Sequence, residues 1–140
     1  GQHCSIAASL EVIGERWSLL IIRDIMRGTR RFDQIQASLG VARNVLTKRL
    51  NRLQEADIIE KRPYQSNPER YEYFLTEKGL DLWPVLVAYL GWGDKYLEPD
   101  SGPPRLIVHK ECGGQIDDRR ICQKCGKALE VREAESVPGP

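Results

Sequence analysis

Three observations on this 140-residue chain predict an α+β, mostly helical fold, a winged helix-turn-helix with a small C-terminal zinc ribbon. Apolar residues recur at helical spacing from Ile6 to Trp92. A segment alternating about Asn67-Pro68 interrupts them as a hairpin. Beyond Arg105 two knuckles, His109-Lys-Glu-Cys112-Gly and Cys122-Gln-Lys-Cys125-Gly, stand where an apolar core is missing.

The first two helices follow from Ile6, Leu10 and Ile13, then Trp17, Leu20, Ile21 and Ile25, with Gly14 between them. Gly28 stands where a helix-ending positive φ is needed. Asp33 with Gln36 predicts a capping box for a short helix that Gly40 stops. From Arg43 to Ala56, Val45, Leu46, Leu50, Leu53 and Ala56 share one sector. Asn44, Thr47, Lys48 and Asn51 fall opposite, so the outer face is polar and basic. A short helix, a tight turn and a longer donor-rich helix match helix-turn-helix design.

Ile58 to Tyr64 and Arg70 to Leu75 read as strands of a hairpin directly after that helix, the position of a wing. Thr76 caps a further helix carrying Leu80, Trp83, Val87 and Leu90 and ending near Tyr96, which Pro84 must kink or divide. The expected organisation is therefore a winged-helix DNA-binding domain over 1–97, a linker over 98–104, a zinc-ribbon-like module over 105–132 and a frayed tail over 133–140.

Hydrophobic residues are 41% and charged residues 29%, a balance suited to a globular chain with a modest core. The longest aliphatic run, Leu19 to Ile22, is far short of the ~18 apolar residues of a membrane helix, and no signal-peptide-like segment opens the chain. A cytoplasmic protein without membrane contact is expected. Gly1 is compatible with a cloning remnant. The net charge is only +1, yet Arg27 to Arg62 holds nine basic residues against four acids. That band coincides with the helix-turn-helix, which favours a polyanionic partner over a merely solvated face.

A two-residue spacing lets both ligands of a tight turn reach one tetrahedral ion, and the following glycine lets the backbone curl around sulfur. His109, Cys112, Cys122 and Cys125 are thus the candidate ligands of one structural zinc, with Asp117 to Arg120 at the tip of the hairpin between them. The alternatives are a Cys122-Cys125 redox pair or unliganded thiols; the matching knuckles favour zinc. Cys4 is an inferior fourth ligand, and His3 reads as a solvated terminal residue.

Arg43, Asn44, Thr47 and Lys48 are the candidate base-reading residues, because the first turns of such a helix meet base edges first, and Asn51 is a further DNA-binding candidate on the same face. Arg31, Arg62 and Arg70 are candidate phosphate contacts. Arg49 lies beside the apolar sector, where it snorkels or pairs with an acid, and neither it nor Arg52 is assigned to DNA. Trp17, Trp83 and Trp92 read as core or interface. The histidines are only His3 and His109, with no nucleophile and base arrangement and no Gly-rich phosphate loop, so no enzyme is expected.

In order and spacing, Cys4, Ile13-Gly-Glu-Arg-Trp17, Arg31-Phe-Asp-Gln-Ile35, Leu46-Thr-Lys-Arg-Leu50 with Leu53, Tyr73-Phe-Leu-Thr-Glu-Lys-Gly79, Trp83-Pro84 and Trp92 resemble the HxlR-type, MarR-like winged-helix transcriptional regulators. The resemblance runs from Cys4 to Tyr96. It implies a homodimer that controls transcription, with first and last helices at the dimer interface, the helix from Arg43 in the major groove and the wing near the minor groove. Similar cysteines in some members respond to electrophiles or oxidants, which makes Cys4 a candidate redox sensor and leaves room for a small-molecule or redox effector. Ser5 stands where many members have proline, and Ala42 where a Ser or Thr cap is more usual. The zinc-like tail resembles an extension carried by some members. A zinc-ribbon adaptor without specific DNA binding, and a small CxxC redox enzyme, are the competing readings.

Overall fold

The computed structural model describes residues 4–97, 100 and 102–139. The expectations for Gly1, His3 and linker positions 98, 99 and 101 lie outside the described residues. The chain forms two compact units that divide between Asp81 and Leu82.

The first unit begins with α1 (Ser5–Ile13) and α2 (Ser18–Met26), continues with α3 (Phe32–Leu39) and α4 (Arg43–Glu55), and ends with β1 (Ile59–Ser66), β2 (Glu69–Leu75) and the single turn α5 (Glu77–Leu80). Its core is built where the apolar stripes predict. Ile21, Ile22 and Ile25 of α2 are fully buried, as are Ile35 of α3 and Leu46 and Leu53 of α4, with Leu50 and the entry to β1, Ile58 and Ile59, almost so. Each such side chain stabilises the unit by about 1.5–3 kcal/mol relative to exposure. Gly28 and Gly40 take φ of 99° and 65°, the left-handed conformation that ends α2 and α3 sharply.

The capping box does not form. α3 starts at Phe32 with Arg31 as its N-cap and no side-chain cap bond. Asp33 then falls inside the first turn, where its charge faces the helix dipole, and Gln36 donates to the carbonyl of Val41 at 3.3 Å instead. Thr76 does cap: its Oγ1 accepts from Gly79 N at 3.1 Å and donates to the Asp57 carbonyl at 2.6 Å.

β1 and β2 pair antiparallel from Ile59↔Leu75, with a register shift between Pro63 and Gln65. Pro63 has no N–H to give a ladder, and a bulge absorbs the loss. Tyr73 N donates to the Arg30 carbonyl at 2.7 Å, which ties the segment before α3 to the wing.

The second unit contains α6 (Trp83–Leu97), β3 (Arg105–His109), a 3-10 turn at Val131–Glu133 and β4 (Ala134–Pro138). Pro84 divides the long helix, one of the two outcomes expected for it. It occupies the first turn of α6, where a missing N–H costs nothing. Two expectations are corrected here. The compact unit that begins at Leu82 groups the last helix with the ribbon instead of with residues 1–97. The tail is not frayed: Ala134–Pro138 pairs antiparallel with β3, from His109↔Ala134 to Arg105↔Pro138. The ladder hydrogen bonds to β3 satisfy its backbone.

Candidate functional site

α4 separates its two faces cleanly. Leu46, Leu50 and Leu53 are buried, while Arg43, Asn44, Thr47, Lys48 and Asn51 are all exposed. Thr47 Oγ1 donates to the Arg43 carbonyl at 2.9 Å, so its hydroxyl is left chiefly as an acceptor. Arg49 behaves as its position demands. Its Nε lies 3.3 Å from Glu15 Oε2, and Glu15 Oε1 in turn accepts from the buried Ser18 at 2.9 Å, so this side chain secures α4 to the turn between α1 and α2.

Three of the DNA-contact candidates, Arg43, Arg31 and Arg62, lie over aromatic rings. Arg43 stacks on Phe32 at 4.6 Å from the ring centroid, Arg31 on Tyr64 at 4.1 Å and Arg62 on Phe74 at 4.0 Å. Arg31 also pairs with Glu72 at 3.6 Å, and Arg62 Nε donates to Glu60 at 3.1 Å. These contacts join α4 to α3 and α3 to the wing. Arg70 is exposed on β2. The sequence reading passed over Arg30, which lies 4.3 Å from the Phe74 centroid. Its adjacency to Arg31 and the phase of Phe74 in the alternating wing were the available signals.

In the second unit the two knuckles are built alike. Gly113 N donates to the His109 carbonyl at 2.7 Å and Gly126 N to the Cys122 carbonyl at 2.9 Å, and both glycines are left-handed, at φ of 75° and 77°. The fold thereby brings His109, Cys112, Cys122 and Cys125 together, with all four ligand atoms within 4.8 Å of one another. His109 Nδ1 is 3.2 Å from Cys112 Sγ and 3.4 Å from Cys125 Sγ, and the sulfurs of Cys112 and Cys122 are 3.5 Å apart. A tetrahedral zinc with bonds of about 2.3 Å to sulfur and 2.0 Å to nitrogen sets ligand atoms roughly 3.5–3.8 Å apart. The cluster therefore has the size and donor chemistry to hold a metal ion. Glu111 Oε2 lies 3.8 Å from Nε2 of His109, beyond hydrogen-bond range.

The thiols are prepared unequally. Backbone N–H groups of Cys125 and Lys124 point at Cys122 and lower its thiol to about 6. For Cys112 the Gly114 amide lowers the value, but burial and the neighbouring Cys122 and Cys125 outweigh it and raise it overall.

Residues 12–101 match the sequence profile of the HxlR-like helix-turn-helix proteins. The chain belongs to the HxlR-like helix-turn-helix family. It is a transcriptional regulator with a helix-turn-helix domain. It is 44% identical to the HTH-type transcriptional regulator Rv3095 of Mycobacterium tuberculosis, itself uncharacterized, over 97% of this chain and 86% of that one. The crystal structure of PA1607, a proposed transcription factor, superposes with a TM-score of 0.76 at 38% identity, over 94% of this chain and 92% of the other. The transcriptional regulator YodB of Bacillus subtilis, in its reduced form, covers 70% of this HxlR-like chain and 98% of its own at 31% identity and a TM-score of 0.59. Among the described residues no helix is long and apolar enough to cross a membrane.

Cys4 is exposed at the N-cap of α1. The amides of Ala7 and then Ile6 point at its sulfur and lower its pKa. YodB has been crystallised both in its reduced form and after diamide treatment.

Proposed function

We propose that this HxlR-like regulator acts in the cytoplasm as a homodimer on double-stranded DNA, reading an inverted-repeat operator with α4 while the wing grips the backbone. The observation that carries this reading is the outer face of α4, where Arg43, Asn44, Thr47, Lys48 and Asn51 are all exposed above a buried leucine seam. Asn44 pairs with adenine and Arg43 with guanine, Thr47 and Asn51 extend the readout, and Lys48 reaches a base or a phosphate. Arg31, Arg62 and Arg70 position the protein on phosphates. Dimerisation is supported by apolar side chains left open on the first and last helices: Ile6 and Leu10 on α1, and Tyr89, Trp92 and Tyr96 on α6. A two-fold axis then sets half-site centres roughly 34–36 Å apart.

His109, Cys112, Cys122 and Cys125 hold one zinc, which supplies cross-linking stability to a ribbon with few buried apolar residues. Its role is structural, because four protein ligands leave no position for water or substrate. Cys4 is the point at which an oxidant or electrophile acts on the regulator.

Genomic fragments selected by the protein identify the operator, and titrations on operator and on random duplex at two salt concentrations test the roles. Asn44→Ala is expected to cost about 1–3 kcal/mol on operator and to relax one base position per half-site. Arg70→Ala is expected to weaken all sequences alike and to flatten the salt slope by about one unit. Identical behaviour of the two variants, both still dimeric, counts against the assignment. A flat salt response of the wild-type chain favours a protein-binding adaptor instead.

A further inference from the structure

The base of the wing concentrates charge that folding alone does not call for. One aromatic ring, Phe74, carries two guanidinium groups, Arg30 at 4.3 Å and Arg62 at 4.0 Å from its centroid. Both charges thus lie within one Debye length of each other, about 10 Å at 0.1 M salt, and repel each other. The acids nearby neutralise this only in part. Glu60 pairs with Arg62 and Glu72 with Arg31, while Arg30 meets no carboxylate among the described residues. Apart from the ring, its side chain has one bond, to the Tyr73 carbonyl at 3.4 Å.

Stacking occupies only the flat face of a guanidinium, so the edge N–H groups of Arg30 other than the Nη1 that meets the Tyr73 carbonyl, and those of Arg62 not taken by Glu60, remain for a phosphate. The mount is also rigid, because Tyr73 N donates to the Arg30 carbonyl at 2.7 Å and fixes the backbone of Arg30 beside the strand that carries Phe74. We propose that Arg30 and Arg62, paired on Phe74, form a binding site for a DNA backbone phosphodiester at the base of the wing, with Phe74 as the positioning residue. This rests on the DNA-binding reading above and adds to it a contact, Arg30, and the side chain that aims two contacts at once. The negative phosphate relieves the repulsion between the two cations, which is why they are stored together.

The test titrates the whole chain with random-sequence duplex DNA at several salt concentrations. Arg30→Gln is expected to lower affinity roughly five- to ten-fold at 0.1 M salt, on operator and random DNA alike, and to reduce the salt slope by about one unit. Phe74→Leu, which keeps apolar bulk but removes the π face, is expected to do at least as much, and Phe74→Trp to restore binding. Glu60→Gln is expected to strengthen binding by freeing Arg62. Circular dichroism checks that each variant folds, and Arg30→Gln, a partly exposed change, decides the matter should Phe74→Leu unfold. A steep wild-type slope left unchanged in folded Arg30→Gln overturns the site and spares the DNA-binding reading. So do equal losses in folded Phe74→Leu and Phe74→Trp, which mark the ring as packing only. No salt-dependent binding by the wild-type chain overturns both.

Discussion

A sulfur at the start of a helix is surrounded by N–H groups that have no other partner, and this decides the acid strength of Cys4. The amides of Ala7 and Ile6 stabilise its thiolate, so its pKa falls below the ordinary thiol value. The sign is simple: a lowered pKa means more thiolate at any pH beneath the ordinary titration. The rate of alkylation of Cys4 by iodoacetamide, followed by mass spectrometry, is therefore expected to rise with pH at a midpoint below the about 8.5 of an unstructured cysteine. A midpoint at or above that value would remove the physical basis for a sensor. If diamide modifies Cys4 completely and operator affinity is unchanged, the thiol reacts without signalling. Other single residues were legible for the same local reasons. Arg49 lies beside a leucine seam, where it was expected to snorkel or to pair with an acid, and Glu15 supplies the acid.

Elements are where sequence reading succeeds and fails by identifiable physics. Gly40 was legible because only a left-handed residue can turn the chain between α3 and α4 so tightly, and its φ is 65°. A Cβ there meets nothing within 4 Å, so the cost of Gly40→Ala is conformational, not steric. It is expected to be about 1–2 kcal/mol, seen as a lower urea midpoint with unchanged m-value, and Gly40→Asn is expected to recover part of it. A cost near zero would mean that the turn relaxes to another geometry. The failures share a different cause. β4 has no strong alternation and exists because β3 offers it a ladder, a partner some 30 residues away that local pattern cannot announce. The box expected at Asp33 and Gln36 failed by two residues of helix start, the boundary error to which caps are most sensitive. The rings under the arginines were hidden for the same reason as β4. Phe32 meets Arg43 only when α4 packs on α3, Phe74 meets Arg62 only when the wing strands pair, and Tyr64 meets Arg31 only when the wing folds beside α3.

At the scale of the whole molecule, the division before Leu82 gives the metal cluster a consequence beyond its own loop. Among the described residues the second unit has few buried apolar side chains, Trp83, Val87, Cys122 and Leu129, so cross-linking by the proposed zinc would supply stability that packing does not. The ribbon also packs directly on α6, for a Cβ added at Gly91 would come within 2.7 Å of Asp118. Because α6 leaves Tyr89, Trp92 and Tyr96 exposed, at 61%, 59% and 61%, loss of the ribbon removes support from the helix whose open face is proposed to meet the second subunit. Protein purified without chelator is expected to carry one zinc per chain, and Cys122→Ser to lose it. Chelation is then expected to melt the second unit first and to shift sedimentation toward monomer, while the isoleucine and leucine core of the first unit keeps the α1 to α4 helical signal. Operator affinity should fall with dimerisation, since two half-sites are no longer held together, and random-sequence binding should fall much less. Full metal retention by Cys122→Ser, or a metal-free protein that stays dimeric on its operator, would confine the cluster to a local role in the ribbon.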